Sequence, residues 1–424
     1  MRPATQSPTK RGLSRVLRTL GPGVTTGAAD DDPSGIATYS VVGAQNGLTF
    51  LWTALFAWPL MGCVQVMCAR IGMVTGMGLA GAMLQKFPRW LVGTAVLALL
   101  IANIINIAAD LSGMADAAHM LGAGPSILYV WVFGLGISVL TVFLRYHQIA
   151  NSLKWLALAL FAYVITAFLV HPDWTAVWHA ALIPSLPHGR DGWGALVAIL
   201  GTTISPYLFF WQAGQEIEEE KSRGQLLIAS RYGATREELT DRRVDVGIGT
   251  FFSNLAMFFI ILTTAWTLHR HGITQIETSR DAAAALRPLA GDYAYYLYTI
   301  GIVGTGLLAI PTLAGSAAYA VAETFDWRYG LDEKLRNATS FYAVFMLATI
   351  AGAVVDLLHI NPIKALYWTA IINGLLSPFL LAALLYVASD RNIMRGQPSS
   401  RLARTVVMLT TELMFGAAIG MLAL

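Results

Sequence analysis

The sequence predicts an all-α polytopic membrane protein with two inverted five-helix repeats and an eleventh transmembrane helix, and three observations lead to this prediction. Of its 424 residues, 56% are hydrophobic and only 12% are charged, about half the charge of a typical soluble domain. Its apolar stretches form eleven segments long enough to cross a bilayer. The first and the sixth of these segments are interrupted near the middle by polar residues and a proline.

The eleven predicted spans have the length that a helix needs to cross the hydrocarbon core, roughly 17–25 residues or more. We place them at 21–46, 49–73, 90–118, 124–145, 153–171, 194–216, 245–269, 292–325, 340–358, 362–388 and 404–424. Short cytoplasmic loops collect Lys and Arg, and an inside N-terminus puts 23 of the 28 Lys and Arg on the cytoplasmic side. We therefore expect a multi-pass protein of the cell membrane with a cytoplasmic N-terminus and an extracellular C-terminus.

This span count divides the chain into four parts. We expect a cytoplasmic N-terminal tail at 1–18, a first repeat at 19–190, a second repeat at 191–390, and a cytoplasmic loop with the eleventh helix at 391–424. Because each repeat has an odd number of spans, the second repeat must be inverted relative to the first.

The first span carries three consecutive acids, Asp30–Asp32, followed by Pro33. One carboxylate at the middle of a membrane helix costs roughly 2.5–3.5 kcal/mol on insertion scales. Pro33 has no N–H to donate and Ser34-Gly35 is a weak helix pair, so we expect the backbone to open here. An open turn exposes carbonyl oxygens beside the acids, which suits a cation. The alternative is a kinked helix with buried, protonated acids.

The sixth span is interrupted in the same way as the first. Its middle reads GTTISP, with Gly201, Thr202, Ser205 and Pro206. Both interruptions fall in the first span of a five-span unit. Paired interruptions in equivalent spans of two inverted halves predict a substrate site near the middle of the membrane.

The third span carries a polar stripe of Asn103, Asn106 and Asp110, which lie on one helical face at spacings i, i+3 and i+7. Because lipid cannot satisfy these groups, we expect the face to look into the helix bundle. It supports a bound cation, lines an exit path or provides hydrogen bonds between helices.

Two further polar stretches have simpler interpretations. In the tenth span, Asn373 precedes Pro378, which predicts an irregular helix near mid-depth. The acidic run Gln212–Lys221 at the end of the sixth span is typical of a solvated helix end. Attraction of cations to an inner vestibule is the alternative for this run.

Several of these motifs together resemble a known family. GPG at 21–23, the pair Asp32-Pro33, the run at 201–204 followed by Pro206, and the eleven-span count resemble the Nramp (natural resistance-associated macrophage protein) divalent-metal transporters. The resemblance implies the LeuT-type 5+5 inverted-repeat fold with an eleventh helix and with helices 1 and 6 broken. It also implies transport by alternating access, no enzymatic activity and Asp32 as a metal ligand.

The sequence departs from the motifs of that family at informative positions. The Asn of the first-span motif Asp-Pro-Gly-Asn is Gly35 here. In the sixth-span motif Ala-x-x-Met-Pro-His, the methionine is replaced by Ser205 and the histidine by Tyr207. The third-span pattern Asp-Leu-Ala-Glu begins at Asp110 but ends at Gly113, so the Glu that the family links with proton movement is absent.

The replacements predict a metal site with more space and with hard oxygen ligands in place of the thioether. A thioether favours soft transition metals, whereas Mg²⁺ prefers oxygen ligands and keeps several of its waters. The pattern is most similar to the Nramp-related magnesium transporter branch and partly similar to plant aluminium transporters. The resemblance implies metal contacts at Asp32, Thr202, Ser205, Gly35 and Asp31. Support of these ligands or lining of the path is implied for Asn106, Asp110, Asn373 and Tyr207.

These patterns predict a secondary transporter for Mg²⁺, and also Mn²⁺, that works without proton coupling. The alternatives are a proton-coupled Nramp-like transporter of Mn²⁺, Fe²⁺ or Al³⁺, and a non-transporting Nramp-like metal receptor. Three acids at the break argue against an amino-acid transporter, since a substrate carboxylate needs bare helix N-termini. We expect the protein to need no cofactor, since the metal ion is its substrate. We also expect it to lie in the lipid bilayer. We expect no nucleic-acid partner and a monomeric protein.

Overall fold

The computed structural model describes residues 21–122, 124–143, 159–358 and 360–423, and the regular structure in these ranges is helical. The tail predicted at 1–18 and the start of the predicted fifth span lie outside the described residues. Nine segments within the described ranges are long and apolar enough to cross a membrane. They correspond to all the predicted spans except the first, which is divided, and the fifth, which is described only in part.

The first half of the described chain contains eight helices. Their bounds are α1 (Pro22–Asp30), α2 (Pro33–Asn46), α3 (Trp52–Thr75), α4 (Leu79–Leu84), α5 (Arg89–His119), α6 (Ser126–Phe143), α7 (Phe161–Leu169) and α8 (Trp174–Leu182). The second half contains nine. They are α9 (Gly189–Thr203), α10 (Pro206–Ser222), α11 (Arg236–Thr267), α12 (Ser279–Ala283), α13 (Arg287–Ala290), α14 (Ala294–Thr324), α15 (Thr339–Val355), α16 (Pro362–Ser389) and α17 (Arg401–Ala423).

Both predicted helix breaks are confirmed. Asp31 and Asp32 separate α1 from α2, and Pro33 is the first residue of α2. Ile204 and Ser205 separate α9 from α10, which begins at Pro206. Proline begins a helix readily, because its missing N–H would have no partner there, but it cannot continue the helix that precedes it. The two prolines therefore fix where the second half of each broken span begins.

Glycines hold the broken spans close to their neighbours. A Cβ on Gly27 would lie 2.4 Å from the carbonyl carbon of Gly249, so α1 and α11 approach backbone to backbone. A Cβ on Gly201 would lie 2.0 Å from the carbonyl oxygen of Ala370, so α9 and α16 approach in the same way. Close approach through small residues is how helices associate in lipid, where no hydrophobic driving force acts between them.

The prediction of an irregular tenth span is wrong. Helix α16 runs without interruption through 28 residues, with Pro378 inside it. Membrane helices tolerate an internal proline where neighbouring groups and small local adjustments satisfy the backbone. The polar residue before it, Ser377, donates a hydrogen bond of 2.6 Å to the carbonyl oxygen of Ile204. This part of α16 therefore supports the break between α9 and α10.

The interpretation of the acidic run as a solvated helix end is wrong for Glu216, which is buried. Arg242 of α11 donates to Glu216 at 2.8 Å, to Asp245 at 2.6 Å, and also to Glu219. Asp245 in turn accepts hydrogen bonds from the backbone N–H groups at the start of α1, including Gly23 at 2.8 Å. We call these four side chains the Arg242 cluster. It ties α1, α10 and α11 together at the end of the bundle where α1 begins.

Candidate metal centre

The two helix breaks lie against each other in the interior of the bundle. The hydroxyl of Tyr207, at the start of α10, lies 3.2 Å from the carbonyl oxygen of Ala29 and 3.4 Å from Oδ2 of Asp32. On α2, the hydroxyl of Tyr39 lies 3.2 Å from Oγ1 of Thr203 at the end of α9. Two tyrosines, one from each broken span, therefore bridge the interruptions.

Asp32 is the N-cap of α2, and it is buried with 2% of its surface exposed. Its Oδ1 accepts a hydrogen bond of 2.6 Å from the backbone N–H of Gly35, which is the usual role of a capping aspartate. Its Oδ2 accepts a hydrogen bond of 3.3 Å from Nδ2 of Asn106. Capping fixes the carboxylate in place, and a carboxylate oxygen that accepts one hydrogen bond keeps a further lone pair that can bind a cation.

Gly35 marks a point where oxygens from both broken spans converge. A Cβ at this position would lie 3.2 Å from Oγ1 of Thr202, 3.4 Å from Oδ1 of Asp32 and 3.5 Å from the carbonyl oxygen of Asp30. The glycine is therefore bordered by a hydroxyl, a carboxylate and a carbonyl. Any larger side chain here would enter the space between these three oxygens.

Ser205, which we predicted as a metal contact, is held by its own helix. Its Oγ lies 2.7 Å from the carbonyl oxygen of Gly201 and 2.8 Å from that of Thr202. The single hydroxyl hydrogen is therefore directed at the last turn of α9, while the lone pairs of Oγ stay available to a cation.

The polar stripe of the third span faces the bundle interior, as predicted, and its three members are fully buried. Asn103 donates to the carbonyl oxygen of Leu313 at 2.9 Å and to Oγ of Ser316 at 2.8 Å, so it links α5 to α14. Asn106 donates to Asp32 and so positions that carboxylate. Asp110 interacts electrostatically with Asp32 and with the backbone N–H of Ser34, and none of the ion pairs between described residues involves it.

Asp31 contacts a residue that the sequence analysis missed. Oγ of Ser253 on α11 lies 2.5 Å from Oδ2 of Asp30 and 3.2 Å from Oδ1 of Asp31. A serine in an apolar span carries no local signal, so only the packing of α1 against α11 identifies it. Asn373, which we also predicted near the site, is buried on α16 beside the close contact with α9.

The atoms that this centre offers as metal ligands are mainly oxygens. In the described ranges, no three His, Cys, Asp or Glu side chains are grouped as metal ligands. A cation between the breaks would therefore combine one or two carboxylates with hydroxyl, carbonyl and water oxygens. Mg²⁺ is bound in this way, because it prefers octahedral oxygen and keeps several waters.

The centre also contains more acidic side chains than basic ones. Four carboxylates are buried in it, those of Asp30, Asp31, Asp32 and Asp110. None of the ion pairs found between described residues involves any of these four. A buried carboxylate without a basic partner requires another positive charge, from a bound cation or from a proton.

Comparisons with known proteins agree with this architecture. Residues 23–424 match the profile of the family described as natural resistance-associated macrophage protein-like, Nramp. The divalent metal cation transporter MntH of Yersinia pestis (strain Pestoides F) is 28% identical over 316 residues, 72% of this chain and 73% of that protein. The protein of the same name from Caldanaerobacter subterraneus subsp. tengcongensis is 24% identical over 415 residues, 94% of this chain and 91% of that protein.

A solved structure shows the same fold. The crystal structure of the Eremococcus coleocola manganese transporter, in complex with an aromatic bis-isothiourea compound, superposes with a TM-score of 0.74 at 17% identity. The superposition covers 98% of this chain and 88% of that one. It confirms the LeuT-type arrangement with the first and sixth spans broken. The family profile, which covers nearly the whole sequence, shows that this chain belongs to the Nramp family.

Proposed function

We propose that the protein carries divalent metal ions, Mg²⁺ and also Mn²⁺, across the cell membrane by alternating access. The observation that carries this proposal is the convergence of Asp32, Thr202 and the Asp30 carbonyl around Gly35, between two broken helices. Relatives named as divalent metal cation transporters and a structural neighbour named as a manganese transporter support a metal substrate. The buried acids without basic partners support a cation at this point.

The preference for Mg²⁺ is supported by the groups around Asp32. The side chains that contact its carboxylate, Asn106 and Tyr207, offer nitrogen and oxygen rather than sulfur. One thioether does approach the sixth-span break, since Sδ of Met257 accepts from Thr203 at 3.7 Å. Ser205 takes the position at which the family motif has its methionine. A pocket lined by oxygen suits hard ions, and the small Gly35 leaves room for retained waters. These features favour the Nramp-related magnesium transporter branch.

The absence of proton coupling is supported at two positions. A Cβ on Gly113 would lie 2.8 Å from Cδ1 of Leu366, so this position holds a packed glycine where the family pattern has its glutamate. Tyr207 stands where the family motif has its histidine, and its hydroxyl contacts the carbonyl oxygen of Ala29 and the carboxylate of Asp32. Asp110 favours the second candidate, a proton-coupled Mn²⁺ transporter, because it is a fully buried acid that interacts with the carboxylate of Asp32.

The proposed transport cycle assigns roles to the larger units. The halves at 19–190 and 191–390 would move relative to each other around the fixed centre, as in inverted-repeat transporters. With a cytoplasmic N-terminus and an extracellular C-terminus, the Arg242 cluster would lie on the cytoplasmic side. There it would hold α1 against α10 and α11. The protein would work as a monomer.

Replacement of Asp32 tests the centre. We expect Asp32→Ala to abolish Mg²⁺ and Mn²⁺ binding at this centre, measured by calorimetry. Loss of the N-cap would also cost about 1 kcal/mol of stability. Asp32→Asn separates the two effects, because its amide oxygen can still cap α2 while the charge is gone. It should fold like the parent but lose the ion at Asp32, and transport with it.

The control for this pair is Asp191→Asn, which removes an exposed acid and should leave binding unchanged. Thermal unfolding and size-exclusion profiles report whether each variant is folded. Normal binding by both folded Asp32 variants would show that the centre lies elsewhere.

Selectivity is tested by restoring the family motif. We expect Gly35→Asn combined with Ser205→Met to gain Mn²⁺ or Cd²⁺ over Mg²⁺ by about tenfold or more, equivalent to about 1.4 kcal/mol. The physical reason is that the thioether favours soft ions and the larger side chain displaces retained waters. The selectivity ratio is measured in liposomes as the inhibition of Mn²⁺ uptake by competing Mg²⁺ or Cd²⁺.

Met257→Leu is the matched control, because it removes a thioether that contacts Thr203 but does not occupy the motif position. It should leave the ratio unchanged. If the double variant carries Mg²⁺ as efficiently as the parent does, the proposal that these two positions select the ion is refuted.

The driving force is tested in proteoliposomes with a clamped potential and a luminal pH dye. A divalent ion gains about 4.6 kcal/mol in a potential of about 100 mV, since one charge gains about 2.3. At about 1.4 kcal/mol per decade, this supports roughly a thousandfold accumulation without protons. We expect Mg²⁺ entry to follow the potential with no change in luminal pH. Mg²⁺-dependent acidification of the lumen would instead establish the proton-coupled candidate, with Asp110 as the carrier to examine.

A further inference from the structure

We propose that Asp30, Asp31 and Ser253 form a second cation subsite, which takes a divalent metal ion beside the one at Asp32. The proposal rests on the proposed function, because it describes a second position for the same class of substrate. It differs from that function in the number of ions that the protein holds, and it assigns the carboxylate of Asp31 to the second ion rather than to the first.

The geometry at Ser253 carries the proposal. Its Oγ lies 2.5 Å from Oδ2 of Asp30 and 3.2 Å from Oδ1 of Asp31, so one hydroxyl faces two carboxylates. A serine hydroxyl has a single hydrogen and can satisfy only one of them. Asp30 is fully buried, and its second oxygen, Oδ1, has no hydrogen-bond partner. Three oxygens therefore converge at Ser253, and Asp30 has one further oxygen that no hydrogen bond satisfies.

The surrounding charges strengthen the need for a cation. The C-terminal end of α1 falls at Asp30, and the partial negative charge of a helix C-terminus adds to that of the carboxylates. Arg242 lies at the opposite end of α1, and its donors are used by Glu216, Glu219 and Asp245. The described part of the chain shows no ion pair to Asp30 or Asp31.

The four buried acids differ in the side chains that they contact. Asp30 and Asp31 share Ser253 of α11, whereas Asp32 interacts with Asp110 of α5 and with Tyr207 of α10. When both are ionised, Asp30 and Asp31 carry two negative charges, which is the charge that one divalent ion neutralises. With one ion at Asp32, Asp30 and Asp31 would depend on protons for charge balance in a membrane interior, where unpaired charges are costly. Two divalent ions balance the four carboxylates.

The test is the number of Mn²⁺ ions bound to the purified full-length protein in detergent. Equilibrium dialysis gives the stoichiometry, and electron paramagnetic resonance reports spin coupling between two close Mn²⁺ ions. We expect two ions and a coupled spectrum for the parent. Asp30→Asn combined with Asp31→Asn should bind one ion with an uncoupled spectrum, and Asp32→Asn should also retain one. Ser253→Ala should weaken the second ion by about tenfold or more.

Ser138→Ala, which changes a buried serine on α6, is the control and should behave like the parent. A parent that binds one ion, lost in Asp32→Asn but kept in the Asp30/Asp31 double variant, would overturn the second subsite and leave the proposed function intact. A single ion lost only in the double variant would overturn the assignment of Asp32. A parent that binds no Mn²⁺ would overturn both.

Discussion

The burial of four carboxylates without basic partners, between two broken membrane helices, is the constraint on which the rest of the structure depends. Each break exposes backbone groups that lipid cannot satisfy, so both must face a protected interior. Each acid also needs positive charge, and the described ion pairs leave all four without it. A cation that binds there would be coordinated by the exposed carbonyl oxygens and would balance the charge of the carboxylates. The site is therefore costly when empty and stabilised when loaded.

The surrounding helices make such a centre tolerable by fixing its geometry. Asp32 caps α2 and is held by Asn106, while Tyr39 and Tyr207 join the two breaks. Close glycine contacts bring α11 and α16 against the broken spans, so that polar side chains such as Ser253 reach the exposed groups. The same contacts restrict movement, and release of α1 would require the Arg242 cluster to open.

Local chemistry made part of this account predictable from sequence. Pro33 and Pro206 place the helix breaks because a proline acts on its own neighbourhood. Features that depend on distant partners could not be predicted. Glu216 is a solvated helix end by local pattern, but its partner Arg242 follows 26 residues later on another helix. Ser253 has no local signal at all. The expected irregularity at Pro378 was wrong because neighbouring helices, which a sequence pattern does not show, decide whether a proline interrupts a membrane helix.

The central claim is that the two helix breaks form an oxygen-lined cation site centred on Asp32. Anomalous X-ray diffraction from crystals grown with Mn²⁺ tests it most directly, because the scattering locates the ion without assumptions about its ligands. The account predicts an anomalous peak about 2 Å from a carboxylate oxygen of Asp32, between α1 and α9, with oxygen as every other ligand. Mn²⁺ peaks confined to other acids, such as Glu216 and Glu219, with none at Asp32, would contradict it.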